Sequence, residues 1–558
     1  MKPDIRWQLL LAVVCLGLVV SVLGVEFQSK GLCSELVPAG GGRLSEGIVG
    51  LPTYLNPLLS DQNLIDQHLV DLIFDGLTRY DESGLLIPAL AESWTISEDG
   101  RVYTFQLNEK AYWHDGQPLS SDDVRFTYDL LKQDDFPASE GMKSIWKSIS
   151  IEVLNENEIQ FEIPEPYGPF LEATTVGLLP FHILGDLEPE ELVDHPYNST
   201  PIGTGPFLVV TGRDWRETGI LNLSTNPLYW REGVNLDGLD YHFYSDGAEL
   251  TNAYSSGEIQ AFSSIQAQDV PDMAQLPGIR VFTSRGPQFT QLIFNLGEGR
   301  GQAVTDSDVR RALAHGIDRE GLIDEVLNGL GLPLEGPYLP SNWAYNQGSM
   351  TKYGYNGELA SALLSAAGWE RAAGSEFRTK SDKQLDIRLL FSDEEKYLAY
   401  ADNLSSQWAA LGVNTILLPA HNEDFLNRLR EGDFDIALVD VEPAGDPDLY
   451  DFWSQEAIVR GQNFGGWNNR RASEALEFAR QLSTPAERKP YYDVFLDIYD
   501  GDLPALTLFQ NVNSYGISSS VEEVDIGHFD SPREIYESFA DWFFFYREVA
   551  VACSGAEA

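Results

Sequence analysis

The side chains that most often carry out catalysis are present in this sequence, but their spacing matches no familiar catalytic motif. A zinc hydrolase needs closely spaced histidines, and neither a His-Glu-x-x-His motif nor an i,i+4 pair of histidines occurs. The chain also lacks a Gly-x-Ser-x-Gly elbow before a helix and a Gly-x-x-x-x-Gly-Lys-Ser/Thr phosphate loop. We therefore predict that the protein is not an enzyme and holds neither a metal ion nor a cofactor. The eight histidines are His68, His114, His182, His195, His242, His315, His421 and His528.

Two arrangements could be mistaken for catalytic groups. His114 and Asp115 are adjacent, but they lie in a Trp-His-Asp-Gly turn, where a structural role is expected. Paired acids could act as the acid and base of a glycosidase if they faced each other across a site. Because the chain has 86 Asp and Glu residues, neighbouring acids are expected by chance. Examples of such pairs are Asp122/Asp123 and Glu522/Glu523.

Charge and length restrict the class of protein. The 86 acidic and 37 basic residues give a formal net charge of −49, which repels phosphate backbones and anionic lipid headgroups. Nucleic-acid binding is therefore not expected. Solubility alone explains such a charge, although it also suits a cationic ligand. The 558 residues, 43% of them hydrophobic, exceed what one core supports, so two or more lobes are predicted.

The N-terminal segment predicts export. Lys2 and Arg6 precede an apolar run from Leu9 to Val25, which is roughly long enough to cross a membrane as a helix. Since the basic residues come first, everything after Glu26 is expected outside the cytoplasm. An uncleaved membrane anchor is favoured, and a cleaved signal peptide is the alternative. Residues 1–8 would then be cytoplasmic, 9–25 the anchor or signal segment and 26–43 a linker.

The three cysteines do not suggest a zinc site. Cys15 lies in the apolar run, where it behaves as a small hydrophobic residue. Cys33 and Cys553 flank the folded region and could form a disulfide in an oxidising compartment. Free thiols are the alternative.

The remaining chain alternates between strand and helix patterns. Tyr103, Phe105 and Leu107 alternate with other residues and share one face of a strand. Ser120 precedes a helix whose apolar stripe includes Val124, and similar caps begin helices near residues 306 and 318. Residues 435–440 form an apolar run with acids at both ends. This pattern predicts a buried strand whose C-terminal end opens on a cleft, where α/β sheets usually bind ligands.

Several segments, in order, resemble the peptide/nickel-binding (family 5) type of ABC-importer solute-binding proteins. The resemblance covers about residues 45 to 515. Its segments are Asp75-Gly76-Leu77-Thr78-Arg79-Tyr80, Pro88-Ala89-Leu90-Ala91-Glu92-Ser93-Trp94, Trp113-His114-Asp115-Gly116, Gly203-Thr204-Gly205-Pro206-Phe207, Val309-Arg310-Arg311-Ala312-Leu313, Ala366-Ala367-Gly368-Trp369 and Gly432-Asp433-Phe434-Asp435.

The resemblance implies an α/β, bilobed periplasmic-binding-protein-like fold of type II, in its large variant with an extra subdomain on lobe one. Lobe one would span 44–285 with the inserted subdomain and return at 504–550, lobe two would span 286–503, and 551–558 would form a C-terminal tail. Closure of the lobes would trap the ligand and present a surface to the importer.

The resemblance also implies a carboxylate that binds the α-ammonium of a peptide, from the loop after the strand at 435–440. This sequence departs from the family there, because the expected acid aligns with Pro443. Asp440, Glu442 and Asp446 are nearby substitutes. The resemblance points to other cleft-lining candidates, namely Gly47, Val49, Gln288, Phe289, Tyr345, Asn463 and Trp467.

The function expected from this resemblance is an extracytoplasmic receptor, located in the periplasm or on the outer face of the cell membrane. It would bind peptides or other small polar solutes and deliver them to an ABC-importer permease. A monomer tethered by its N-terminal segment is expected. An oligosaccharide or a metal chelate is the alternative cargo, because the acid at Pro443 is missing, and a secreted hydrolase is a further alternative.

Overall fold

The computed structural model describes residues 32–552, except 62, 82–83, 213, 232–234, 264, 266, 298–302, 525, 527–534 and 536–541. The predicted cytoplasmic N-terminus and the anchor or signal segment lie outside the described residues, as do Cys15 and Cys553. Among the residues that the structure describes, none of the helices combines the length and the apolar character that a membrane crossing requires.

The strands alternate with helices along the chain. They are β1 (Leu32–Ala39), β2 (Arg43–Val49), β3 (Thr78–Tyr80), β4 (Leu86–Pro88), β5 (Ala91–Ile96), β6 (Val102–Leu107), β7 (Ser150–Asn155), β8 (Glu158–Glu162), β9 (Phe207–Val209), β10 (Ile220–Thr225), β11 (Gly238–Tyr244), β12 (Ala261–Phe262), β13 (Ile279–Phe294), β14 (Gly331–Pro333), β15 (Thr379–Lys380), β16 (Lys383–Gln384), β17 (Asp386–Ser392), β18 (Asn414–Ala420), β19 (Ile436–Val441), β20 (Ala505–Ser518) and β21 (Phe545–Ala552).

The helices differ widely in length. They are α1 (Leu64–Ile73), α2 (Ser121–Leu131), α3 (Glu140–Trp146), α4 (Phe181–Leu184), α5 (Trp215–Thr218), α6 (Gly247–Ser256), α7 (Val270–Met273), α8 (Ser307–His315), α9 (Arg319–Leu327), α10 (Gly357–Ala366), α11 (Glu395–Ala410), α12 (Asn422–Glu431), α13 (Tyr450–Trp453), α14 (Ala457–Arg460), α15 (Arg470–Arg480) and α16 (Pro485–Asp502). Short 3-10 helices cover Gly168–Thr175, Pro189–Leu192, Pro196–Asn198 and Gln347–Ser349.

One mixed sheet runs through both lobes in the strand order β18-β17-β19-β13-β20-β12-β2-β11-β10-β9, and β14 also pairs with β20. A separate four-stranded sheet, β5-β6-β8-β7, belongs to the first lobe. Its strand β6 buries Tyr103, Phe105 and Leu107 on one face, as the alternation predicts. The mixed α/β, two-lobed fold predicted from the sequence is therefore confirmed.

The apolar cores lie toward opposite ends of the β13–β20 pair. One core combines residues between Leu44 and Ala261 with Tyr515 to Trp542. Two further cores are built between Leu292 and Phe509. Strands β13 and β20 pair antiparallel from Ile279–Ser518 to Ile293–Ala505, so both strands pass from one lobe to the other.

The pairing of β13 with β20 is irregular where the strands cross between the lobes. The register shifts between Arg285 and Phe289, and the Gln510 side chain donates a hydrogen bond to the Gly286 carbonyl at 2.8 Å. A bulge of this kind bends a strand locally. The lobes are therefore joined at a kinked pair of strands that also carries the predicted residues Gln288 and Phe289.

The predicted helix caps follow the expected chemistry. The Asp123 carboxylate accepts a hydrogen bond from the Ser120 main-chain N–H at 2.9 Å at the start of α2. At the start of α9, the Asp318 carboxylate accepts one from the Gly321 N–H at 3.0 Å. The segment predicted as a linker, 26–43, differs from the expectation. Its residues 32–39 form β1, whose backbone pairs with β21, and Cys33 lies opposite Val551 in that register.

Candidate functional site

The predicted site begins where the C-terminal end of β19 lies beside the middle of β13. These strands are antiparallel, with Phe289 opposite Val441 and Thr290 opposite Asp440. Strand β19 is buried over Ile436–Leu438, because its apolar run lies between two cores, and it leaves the core at its C-terminal end. The loop that follows carries Glu442 and Asp446 toward the first lobe.

Asp440 is fully engaged by its own lobe. One carboxylate oxygen accepts a hydrogen bond from the Thr290 hydroxyl at 2.6 Å. The other accepts from Lys396 Nζ and from the Tyr397 hydroxyl, both at 2.9 Å. Burial, followed by the negative charge of Asp440, raises the pKa of Tyr397. Asp440 thus ties the start of α11 to the sheet.

Glu442 is more available to a solute. Its side chain is exposed and accepts a hydrogen bond of 2.8 Å from Gln288 Nε2. Gln288 lies in the bulge of β13, which brings it across from the end of β19. The structure thus brings two of the predicted residues into contact at the junction of the lobes, with a carboxylate facing outward.

An apolar cluster lies beside this pair. Phe289 is buried with Leu334 and Leu339, and Tyr345 packs against them together with Val441. Burial raises the pKa of Tyr345, and the positive charge of nearby Arg285 opposes that shift. This edge of the second lobe therefore combines an aromatic surface with groups of both charge signs.

Asp446 is buried in an ion pair with Arg488. Two separate hydrogen bonds of 2.5 Å join the guanidinium to the two carboxylate oxygens, and Arg488 also donates to the Tyr492 hydroxyl at 2.6 Å. The Asp446 main-chain N–H donates to Glu172 of the first lobe at 3.2 Å. Asp446 therefore lies at a contact between the lobes, and its side chain is held within lobe two.

Gly47 and Val49 lie on β2 in the first lobe. An added Cβ at Gly47 would overlap the side chains of Leu250 and Ile259, so glycine is needed there for packing. Val49 is partly exposed and lines a cavity of about 720 Å³. The cavity is lined in part by Tyr54 and Leu64.

Asn463 and Trp467 are placed in the core of the second lobe. The Asn463 amide bonds the carbonyls of Ser454 and Trp467, at 3.0 and 2.8 Å. The Trp467 indole packs among Trp453, Phe495 and Tyr499 and is 3% exposed. These two residues are not brought together with Gln288 and Glu442.

The pairs that could resemble catalytic groups have structural contacts. His114 accepts a hydrogen bond from the Gly203 N–H at 3.0 Å and contacts the Gly205 carbonyl through its other ring nitrogen, so it supports that turn. Asp115 pairs with His182 at 2.8 Å. Within the described part of the chain, no cluster of three or more His, Cys, Asp or Glu residues is arranged to hold a metal ion.

Sequence reasoning missed the partners of the predicted acids, which are Lys396, Tyr397, Arg488, Glu172 and Tyr80. Lys396 is 44 residues from Asp440 and Arg488 is 42 residues from Asp446 along the chain. No local spacing pattern links residues so far apart. The sequence shows that basic residues are few in an acidic chain, but it does not show which acid each basic residue pairs with.

The relationship to known proteins agrees with this geometry. The family model of bacterial extracellular solute-binding proteins, family 5, matches residues 86–457. The oligopeptide-binding protein AppA of Bacillus subtilis is 26% identical over 498 residues, which cover 87% of this chain and 89% of that protein.

Solved structures share the fold. AppA of Bacillus subtilis in complex with a nonapeptide aligns with a TM-score of 0.70 at 23% identity, covering 91% of this chain and 100% of that one. NikZ of Campylobacter jejuni in complex with Ni(L-His) aligns with a TM-score of 0.71 at 25% identity, covering 90% and 99%. Since the family model matches about two thirds of the sequence, this chain belongs to the bacterial extracellular solute-binding proteins of family 5.

Proposed function

We propose that this protein is an extracytoplasmic receptor that binds peptides and delivers them to an ABC importer. The names of its relatives support a peptide cargo, since they include an oligopeptide-binding protein and the dipeptide-binding protein of Escherichia coli. The bulged β13–β20 connection supports a receptor whose lobes open and close around the solute.

The exposed carboxylate of Glu442 is the observation that carries the proposal. A peptide has an α-ammonium group that needs a partner when it leaves water. Of the three acids predicted for this role, Asp440 and Asp446 already pair with Lys396 and Arg488. Glu442 accepts a hydrogen bond from the neutral amide of Gln288 and forms no ion pair among the residues that the structure describes. We therefore assign the ammonium contact to Glu442.

Arg285 suits the opposite end of the solute. It lies three residues before Gln288 on β13, its side chain is exposed, and it is near Tyr345. Glu442 and Arg285 would then bind the two charged ends of a dipeptide or tripeptide, while the partly exposed Tyr345 provides an aromatic surface beside them.

Calorimetric titration tests the ammonium contact. The full chain would be titrated with di- to hexapeptides, and with the same peptides carrying an N-terminal acetyl group. We expect Glu442→Gln to weaken binding of free peptides roughly 10- to 100-fold, because a charge-assisted hydrogen bond is lost. Acetylated peptides should bind the wild-type protein and the variant equally weakly.

The exposed Glu423 on α12 offers a matched control, and Glu423→Gln should bind free peptides like the wild type. Equal affinity of wild type and Glu442→Gln for free peptides would contradict the assignment of Glu442. An absence of heat and of thermal shift across a varied peptide library would contradict the peptide cargo itself.

A metal chelate is a second candidate cargo. Pro443 stands where the family's acid is expected, and the structural relative NikZ is described in complex with Ni(L-His). Native mass spectrometry of gently purified protein would separate the two cargoes, because a trapped chelate and a trapped peptide differ in mass.

We further propose the lobe boundaries 44–285, 286–503 and 504–550, and a monomer tethered to the membrane by residues 9–25. The cores toward opposite ends of the β13–β20 pair support these boundaries. Carbonate extraction of membranes from the producing cell would test the tether, since an anchored chain stays in the pellet. Release of a shortened chain would indicate cleavage instead.

A further inference from the structure

One contact between the lobes brings two acidic residues, Glu172 and Asp446, close together. Gly445 and Asp446 of the second lobe lie against Glu172 and Tyr80 of the first. The Asp446 main-chain N–H donates to Glu172 Oε1 at 3.2 Å, and an added Cβ at Gly445 would overlap the Tyr80 ring. Glu172 lies in the 3-10 helix Gly168–Thr175 and reaches Asp446 across 274 residues of chain.

The same 3-10 helix is held at other points. The guanidinium of Arg480 lies over the ring of Tyr167, 5.1 Å from its centroid. Gly168 is so close to the second lobe that an added Cβ would overlap the Leu482 carbonyl. The contact is therefore a packed surface between the lobes, and it holds the segment that carries Glu172 against the loop of Asp446.

Two carboxylates, those of Glu172 and Asp446, meet at this surface, and Arg488 pairs with Asp446. Arg488 directs two hydrogen bonds to Asp446 and one to Tyr492. Among the residues that the structure describes, no lysine or arginine forms an ion pair with Glu172. The titratable and charged groups that face Glu172 are thus Tyr80 on β3, Asp446 on the loop and, behind it, Arg488 on α16.

Burial at the contact favours the protonated form of Glu172. Loss of water, followed by the negative charge of Asp446, raises the pKa of Glu172 to about 7. The nearby polar groups of Tyr80 and of the Gly445 and Asp446 main chain oppose this shift in the pKa only in part. In separated lobes the Glu172 carboxyl would return to water and to its ordinary pKa of 4.5.

We infer that closure of the two lobes takes up one proton from solvent at Glu172, so that the Glu172–Asp446 contact acts as a latch that favours the closed receptor at acidic pH. This inference rests on the proposed receptor function only in that the lobes open and close, whatever solute they carry. No bond other than the O–H bond of Glu172 is made or broken.

The direction of the pH effect follows from the two pKa values. The closed form binds the proton more tightly, so closure is most favourable below pH 4.5 and is weakened as the pH rises through 7. Between pH 5 and pH 8 the equilibrium constant for closure should fall by more than about tenfold.

Distance measurements on the solute-free protein test the latch. Spin labels would be attached at Thr95→Cys in the first lobe and Val459→Cys in the second. Double electron–electron resonance spectroscopy would then measure the distance between the lobes. The full chain in detergent would be used, with its three native cysteines replaced by serine. We expect a larger short-distance population at pH 5 than at pH 8.

Glu172→Gln keeps the hydrogen-bonding shape of the protonated acid and should show the closed population at both pH values. Glu190→Gln, on the exposed surface of the same lobe, is the matched control and should keep the wild-type pH response. The buried acid Glu46 also titrates near pH 7. For that reason the difference between wild type and Glu172→Gln is the decisive quantity.

An equal pH response in wild type and Glu172→Gln, or a wild-type distance distribution that does not change with pH, would overturn the inference. Both results are independent of peptide binding. Failure of the calorimetric test would therefore leave the latch standing, and failure of the latch would leave the peptide proposal standing.

Discussion

Asp446 and Arg488 form a buried ion pair in which each carboxylate oxygen accepts one hydrogen bond of 2.5 Å from the guanidinium. Their side chains are only 7% and 3% exposed. The Asp446 carboxylate is therefore unavailable to a peptide ammonium unless this pair is broken. The pair fixes the loop that touches the first lobe, which gives Asp446 a role in positioning rather than in binding.

Breaking that pair should destabilise the protein strongly. Asp446→Asn leaves the buried Arg488 charge without its partner, and we expect the free energy of unfolding to fall by about 3–5 kcal/mol. Urea denaturation at pH 7 measures the loss. The double variant Asp446→Leu/Arg488→Met should recover much of it, because both buried charges are removed together. Equal stability of Asp446→Asn and wild type would contradict the buried pair.

Asp440 should affect stability more than binding. The Asp440 side chain is only 13% exposed, and Asp440→Asn weakens its ion pair with Lys396. We expect a loss of about 1–3 kcal/mol in the free energy of unfolding. Peptide affinity measured by calorimetry on the folded protein should change less than about threefold. This change is smaller than the loss of affinity expected when one charge-assisted hydrogen bond to the peptide is removed. A loss of affinity as large as that of Glu442→Gln would instead place Asp440 at the ligand.

Trp467 should behave as a core residue. Trp467→Ala removes an indole that packs on three aromatic rings and donates to Asp502 at 3.0 Å, so the free energy of unfolding should fall by about 3–5 kcal/mol. Trp467→Phe should keep part of the packing and, once folded, bind peptides normally. The exposed Phe478 provides the comparison, since Phe478→Ala should change stability little. Weakened peptide binding by a stable Trp467→Phe protein would indicate a ligand contact.

The stability of the fold should depend on the protonation of Glu46. Burial raises the pKa of Glu46 to about 7, although the Tyr515 hydroxyl donates to it at 3.0 Å. Because the folded pKa exceeds the unfolded value of 4.5, stability from this group is complete below pH 4.5 and declines as the pH rises through 7. The total decline is about 3 kcal/mol.

Urea denaturation of wild type and Glu46→Gln at pH 5 and pH 8 measures this dependence. The difference in stability between the two proteins should shift in favour of Glu46→Gln at the higher pH. Glu172 titrates in the same range in both proteins, so its contribution cancels in the comparison. An identical pH dependence of the two proteins would show that Glu46 stays ionised in the fold.

Much of the secondary structure can be predicted from short segments of the sequence. The alternation of Tyr103, Phe105 and Leu107 predicts the buried face of β6, and Ser120 predicts the start of α2, because both patterns depend on residues within one turn or one strand. The family motifs fix the order of the elements and the two-lobed fold.

The tertiary structure alone decides which acids are available. Asp440, Glu442 and Asp446 all carry a carboxylate and lie within seven positions of each other. From the sequence, each is therefore an equally good candidate for the ligand contact. Their roles differ because Lys396 pairs with Asp440 and Arg488 pairs with Asp446, each from a helix some forty residues away along the chain. A carboxylate's partner is set by three-dimensional packing, and residue type and spacing do not encode it locally.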